Sequence, residues 1–265
     1  MSRLKGEGKA VMELRLALWV AVLMQSSGSV SAAAVHKPNL DLALCEASSS
    51  GTPAQIKALA KQGAHLNAKC KSWSASPLDN AVQADKVANI KALLDAGADV
   101  NAMSTDFDPA IDWARSMAAA RLLISRGANV NAQSLLDYKL GETPLIDRAT
   151  KVEVAGSDED AANDVAIAEL LIVAGADVNA AAKNGDTPLH ACVTDYGFAC
   201  VKMLLDHGAN ANPPQNDFFR SPLSQAIYMQ GDQEAAFSQA MVGKAPNKQT
   251  FRDIEALLRA HGAAE

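Results

Sequence analysis

The chain has 265 residues, 49% of them apolar and 20% charged, a composition that excludes an intrinsically disordered protein. Its formal net charge is −6 and no basic stripe is present, so nucleic-acid binding has no electrostatic support. Aromatic residues make up only 5%, and the apolar share leans on Ala and Leu, which suits close-packed short helices better than a β-sandwich.

In chain order, residues 1–34 come first. Arg3, Lys5, Lys9 and Arg15 form a basic start diluted by Glu7 and Glu13, and Leu16 to Met24 is an unbroken apolar run. Small residues follow at Ser26 to Ser29 and Ser31 to Ala34. This order is that of a secretory signal peptide cleaved between Ser31 and Ala34, with Met12 as an alternative start. The apolar run falls short of the about 20 residues a membrane helix needs, so no stable span is expected after cleavage. An uncleaved anchor and a helix capping the rest of the chain are the other readings. Cleavage removes four basic and two acidic residues and leaves a net charge of −8.

The remainder, residues 35–265, is self-similar. A Gly-Ala-x-x-Asn phrase recurs at Gly63 to Asn67, Gly97 to Asn101, Gly127 to Asn131, Gly175 to Asn179 and Gly208 to Asn212, with a degenerate copy at Gly262. A second phrase opens most copies: Ser76-Pro77-Leu78, Thr143-Pro144-Leu145, Thr187-Pro188-Leu189-His190 and Ser221-Pro222-Leu223. Ser or Thr caps a helix N-terminus, and Pro is tolerated at the first helical position because that N–H has no helical partner. Each copy then carries a paired apolar run, such as Leu93-Leu94 or Leu204-Leu205, before a Gly suited to a left-handed helix end. One helix pair of this size cannot bury its own apolar face, so stability must come from stacking neighbours.

These phrases and their spacing resemble the ankyrin-repeat family. The resemblance implies an all-α solenoid of six helix-turn-helix units with hairpin-like connections. The units run over about residues 40–67, 76–101, 109–131, 143–179, 187–212 and 221–262, the third about two residues short. Polar insertions fall at about 152–163 and 230–249, as helix extensions or surface loops. In the family the His of the opening phrase makes hydrogen bonds between units, which gives His190 a structural role. Aligned on the family pattern, Cys192 and Cys200 fall on facing core positions of one helix pair. Cys45 and Cys70 form a looser candidate pair. Export permits both disulfides, and four buried free thiols are the alternative.

No catalytic constellation is present in the sequence. The five His residues are scattered, and phosphate-loop, nucleophile-elbow and zincin motifs are missing. Asp158-Glu159-Asp160 lacks the alternation of a calcium loop and is expected to be a solvated loop. No catalytic residue, metal or cofactor is therefore expected.

Ligands of the family meet the hairpin tips and the exposed face of each first helix. Those positions map to Trp73, Phe107, Trp113 and Tyr138 in the N-terminal half, and to Lys183, Asn184 and Asp186 before the fifth unit. Phe218, Phe219, Arg220, Tyr228 and Met229 occupy them in the sixth. Seven of the eleven aromatic residues beyond the signal lie on this face, and aromatic and Arg side chains are enriched at binding hot spots. The expected function is a monomeric, non-catalytic protein-binding module, periplasmic or secreted, that inhibits or protects a partner protein. An enzyme or host-directed effector with its site in the insertions is the alternative.

Overall fold

The structure is a computed structural model that describes residues 39–70, 75–102, 108–135, 141–151, 158–194, 197–214, 221–230 and 248–264. Helices come in consecutive pairs. α1 (Leu40–Ser50) is followed by α2 (Pro53–Lys61), and α3 (Pro77–Gln83) by α4 (Val87–Ala96). In the third pair a 3-10 turn (Ala110–Trp113) takes the place of the first helix and leads to α5 (Met117–Ser125). The remaining pairs are α6 (Pro144–Lys151) with α7 (Asp158–Val173), α8 (Pro188–Thr194) with α9 (Phe198–Asp206), and α10 (Pro222–Tyr228) with α11 (Lys248–Ala260). First members pack on first members of the adjoining pairs, forming an inner row, and second members form an outer row. No strand occurs among the described residues.

Local chemistry starts these helices where the sequence signals them. Ser76 and Asp79 form a capping box on α3, Thr52 and Gln55 one on α2, and the Ser221 side chain accepts from Ser224 N on α10. The glycines that follow the outer helices adopt φ from 84° to 101°, a left-handed conformation that strains any side chain. Between the rows lies one continuous core. Leu78, Leu145, Leu189 and Leu223 enter it from the inner row, and Leu93, Leu123, Leu171, Leu204 and Leu258 from the outer row.

The terminal Asn of each Gly-Ala-x-x-Asn phrase links its pair to the next. Asn101 Oδ1 accepts from Asn129 N at 2.8 Å, and its Nδ2 donates to Gly127 O at 2.9 Å. Asn131 does the same with Asp177 N at 2.8 Å and Gly175 O at 2.9 Å. Asn179 holds Asn210 N and Gly208 O, and Asn212 holds Ala264 N and Gly262 O. Asn67 accepts from Asp99 N at 3.1 Å. Each rung therefore satisfies an N–H and, in four of the five pairs it joins, a carbonyl at the end of an outer helix, groups that no intrahelical bond reaches. At the N-terminal end Asp41 stands in for the missing Asn. Its carboxylate accepts from His65 N at 2.7 Å and lies 3.0 Å from His65 Nδ1, and the backbone N–H above all holds its pKa below the usual carboxylate value.

Three of the connections between pairs are hairpin-like, with a backbone bond at the stem: Cys70 N to Ala75 O, Ser134 N to Glu142 O, and Ala182 N to Asp186 O, all at 2.8 Å. Two disulfides are present, Cys45–Cys70 with a Cα separation of 5.6 Å and Cys192–Cys200 with 5.8 Å. The first ties α1 to the stem of the first hairpin; the second joins α8 to α9. Chain-entropy reasoning puts their worth at about 3.5 and about 2.5 kcal/mol respectively.

Three expectations need correction. Asp158-Glu159-Asp160 is not a loop but the first turn of α7, which reaches 16 residues in length. α11 begins at Lys248, so the end of the second insertion is helical; residues 152–157 and 231–247 lie outside the described residues. The His190 ring bonds within its own unit, not between units: Thr187 N donates to Nδ1 at 3.2 Å and Thr187 Oγ1 lies 3.0 Å from it. Burial pushes the His190 pKa down, so the ring stays neutral with its proton on Nε2.

Asn131→Ala removes both bonds of a central rung and is expected to cost about 2 kcal/mol, measured as a lowered midpoint in urea denaturation. Gln133→Ala, two residues on and exposed, should leave the midpoint unchanged.

Candidate partner-binding face

The shortened third pair gives the inner row its most distinctive feature. α3 and α6 run on to Gln83 and Lys151, whereas the 3-10 turn between them stops at Trp113. The missing turn leaves a cavity of about 540 Å³, bordered by Gln83, Trp113, Arg115 and Lys151 and, from the first turns of α7, by Asp160, Asn163 and Asp164. It lies where inner helices end and outer helices begin, the opposite end of the pairs from the glycine-led hairpins.

A helix that stops early presents carbonyls with no partner along the chain. Side chains of the fourth pair meet them. Arg148 Nη2 donates to Ala114 O at 2.7 Å and to Asp112 O at 3.3 Å, and Lys151 Nζ donates to Asp112 O at 3.1 Å. Asn163 Nδ2 donates to Arg115 O at 3.0 Å. Arg148 is itself buried and ion-paired, its Nη1 lying 2.7 Å from Asp164 Oδ1. Lys151 pairs with Asp147 and stands 5.8 Å from the centre of the Trp113 ring. These bonds pair the carbonyls of the short turn, with Arg148 Nε alone of that guanidinium left without a partner, and the rim of the notch offers the half-buried Trp113, the partly exposed Lys151 and the exposed Arg115, which makes no ion pair among the described residues.

The structure distributes the sequence-predicted residues unevenly. Trp113 lines the notch, although it packs partly against the core and sits on a 3-10 turn instead of an α-helix. Lys183 is exposed on the hairpin before α8. Asn184 and Asp186 bond each other, Asn184 Nδ2 to Asp186 Oδ2 at 2.6 Å and Asp186 N to Asn184 Oδ1 at 3.0 Å, so they shape that hairpin. Tyr228 is 57% exposed at the end of α10. Met229 is a correction: it is 7% exposed, because as the C-cap residue of α10 it turns into the core and leaves the face to Tyr228. Trp73, Phe107, Tyr138, Phe218, Phe219 and Arg220 lie outside the described residues. Sequence reasoning missed Arg115, Arg148, Lys151 and Asn163. The available signal was an Arg inside an apolar first-helix phrase, directly after the one unit too short to finish its own helix.

A second polar feature lies deeper. Asp79, at the position His190 occupies in the fifth pair, is buried; its Oδ2 accepts from Ser76 N at 2.8 Å. Burial pushes its pKa up, and the nearby Asp108 charge adds to that, against the two bonds with Ser76. No three His, Cys, Asp or Glu side chains converge as a metal site among the described residues.

Residues 159–238 match the family model described as ankyrin repeats (3 copies). Among solved structures, the chain resembles an ankyrin repeat domain from Acinetobacter baumannii AYE, with a TM-score of 0.63, 23% identity, and coverage of 83% of this chain and 98% of that one. The ankyrin repeat domain of Bcl-3, a member of the IkappaB family, gives 0.63 at 23% identity, covering 84% and 87%. The human ASB11 ankyrin repeat domain gives 0.60 at 22% identity, covering 83% and 84%. No match was found among curated protein sequences. The fold is an ankyrin-repeat fold, and ankyrin repeats are in general protein–protein interaction modules.

Two predictions follow from the buried polar groups. Arg148→Ala should destabilise by about 3 kcal/mol, because it leaves Asp164 and the Ala114 carbonyl without their partner, whereas Arg148→Met with Asp164→Leu should recover most of the loss. A double-mutant cycle by chemical denaturation measures the coupling. For Asp79, a folded pKa above the unfolded value near about 3.9 means that stability falls as pH rises from there through the folded pKa. Asp79→Asn keeps an acceptor for Ser76 N and should raise the denaturation midpoint at pH 7, with the gain disappearing below about pH 4, where the unfolded Asp is also protonated.

Proposed function

We propose that this chain is an exported, non-catalytic binding module of the periplasm or the extracellular medium, which covers one partner protein and so inhibits or protects it. The observation that carries the reading is the inner-row face itself: the notch at the third pair, rimmed by Trp113, Arg115 and Lys151 over short-turn carbonyls that Arg148 and Lys151 already pair. A rigid face that needs no rearrangement loses little entropy on binding, and aromatic and Arg residues at a concave site are the usual anchors of an interface. Tyr228, 57% exposed at the end of α10, lies at the corresponding inner-helix end of the sixth pair. Export is supported by the basic, apolar and small-residue order of residues 1–34 and by four cysteines arranged as two disulfides, which persist in oxidising compartments. Among the described residues no helix is long and apolar enough to cross a membrane.

The test is affinity capture with residues 35–265 from an envelope fraction of the source cells, read by mass spectrometry. One stoichiometric protein is expected, and Arg115→Glu combined with Tyr228→Ala should weaken its binding by about tenfold or more while helicity and melting temperature stay unchanged. Capture unaffected by the double variant would place the partner elsewhere on the array. An intact N-terminus on the protein recovered from cells would overturn export by cleavage.

A further inference from the structure

The two disulfides occupy unlike places. Cys192 and Cys200 are fully buried in the fifth helix pair, which is covered by the fourth on one side and the sixth on the other. Cys45 and Cys70 are each 4% exposed and border a cavity of about 570 Å³ at the N-terminal end of the described array, together with Asp41, His65, Asn67 and Lys69. The pair α1–α2 packs on a single neighbouring pair among the described residues. In a stacked array each pair is stabilised by its own contacts and those with its nearest neighbours, so the end pair opens at lower cost than an interior one.

Cys45 sits on α1 and Cys70 on the stem of the first hairpin, 25 residues away. Apart from the backbone itself, the bond is a direct covalent crosslink between that helix and the hairpin that leads to the second pair. Noncovalent links hold each side separately. Asn80 Nδ2 donates to Cys45 O at 3.3 Å, and Asn89 Nδ2 caps the end of α1 through Ser48 O and Gly51 O, both at 3.1 Å. The hairpin side is fixed by Asn67 to Asp99 N. Among the described residues, Asp41 with His65, an exposed pair, is what joins α1 to the hairpin by side-chain polar contact besides the disulfide.

We propose that Cys45–Cys70 is a reducible latch: a dithiol opens it while Cys192–Cys200 stays closed, and its opening loosens α1, α2 and residues 65–70 without unfolding the other pairs. The reaction is thiol–disulfide exchange. A thiolate of the dithiol attacks one cystine sulfur from the cavity and expels the other as thiolate. The second thiol of the reagent then attacks the mixed disulfide, closing the reagent's own disulfide and releasing the remaining cysteine. Two electrons pass from the dithiol to the cystine, and the two thiol protons end on Cys45 and Cys70. Lys69 moves with the loosened segment, so the N-terminal end of the inner face changes with redox state. This inference does not depend on any partner.

The experiment treats the oxidised full chain with dithiothreitol under native conditions, quenches aliquots with N-ethylmaleimide, and follows labelling by peptide mass spectrometry alongside hydrogen exchange. Cys45 and Cys70 are expected to be alkylated together at least about tenfold faster than Cys192 and Cys200, as access to the sulfur dictates. At that stage amides of α1, α2 and residues 65–70 should exchange at least about tenfold faster, with α4, α8 and α9 unchanged. Equal labelling rates, or earlier labelling of Cys192 and Cys200, would overturn the proposal, as would reduction of Cys45–Cys70 with no change in exchange. Cys45→Ala with Cys70→Ala should show the loosened exchange pattern without reductant and no further response to it. A closed pattern in that variant would equally overturn the latch. Cys192→Ala with Cys200→Ala should leave the labelling rate of Cys45 and Cys70 as it was.

Discussion

The rung made by the last Asn of each repeat is the constraint on which the rest of the array depends. It bridges an N–H and a carbonyl of the next repeat, and it does so whether the two lie 28, 46 or 52 residues further along the chain. The hairpin side of the stack is therefore held in register regardless of what happens between rungs. Among the described residues, the side where inner helices end and outer helices begin carries the truncated 3-10 turn and the lengthened α7.

Seen this way, the short third repeat and the enlarged fourth are one feature. A truncated helix leaves carbonyls of Asp112, Ala114 and Arg115 without intrahelical partners, and burying such groups unpaired would cost about 1–3 kcal/mol each. Arg148, Lys151 and Asn163 supply the donors, and Asp164 balances the charge that Arg148 brings inside. The extension of α7 places Asn163 and Asp164 within reach. The same arrangement borders the cavity of about 540 Å³, so the accommodation of a deletion also shapes the inner face.

The ends of the array solve a related problem by different means. A stacked pair at an end has a rung position with no preceding repeat to fill it. At the N-terminal end of the described residues the Asp41 carboxylate takes that place beneath His65, and Cys45–Cys70 adds a crosslink to a pair that packs on one neighbouring pair among the described residues. At the other end Asn212 closes on Gly262 and Ala264, across the longest interruption in the chain.

Much of this was legible in the amino-acid sequence because it is local or periodic. Capping Ser and Thr with Pro at the next position, the paired leucines, the left-handed glycines and the recurrent Asn each follow from backbone chemistry that acts within a few residues. While the two candidate cysteine pairings came from the resemblance to the ankyrin pattern and stood beside four free thiols as the alternative, those signals determined the helix pairs and their order. They did not reveal that Met229 turns inward while Tyr228 stays out, since adjacent residues at a helix end differ only by the direction of the last turn. Nor did they reveal the bonds of Arg148 to the preceding repeat or the helical state of Asp158 to Asp160. These depend on which unpaired carbonyls and charges stacking brings together across 16 to 48 residues of sequence. The repeats' own chemistry was written in the sequence; the shape of the face between them was decided only when unequal repeats were forced to stack in a common register.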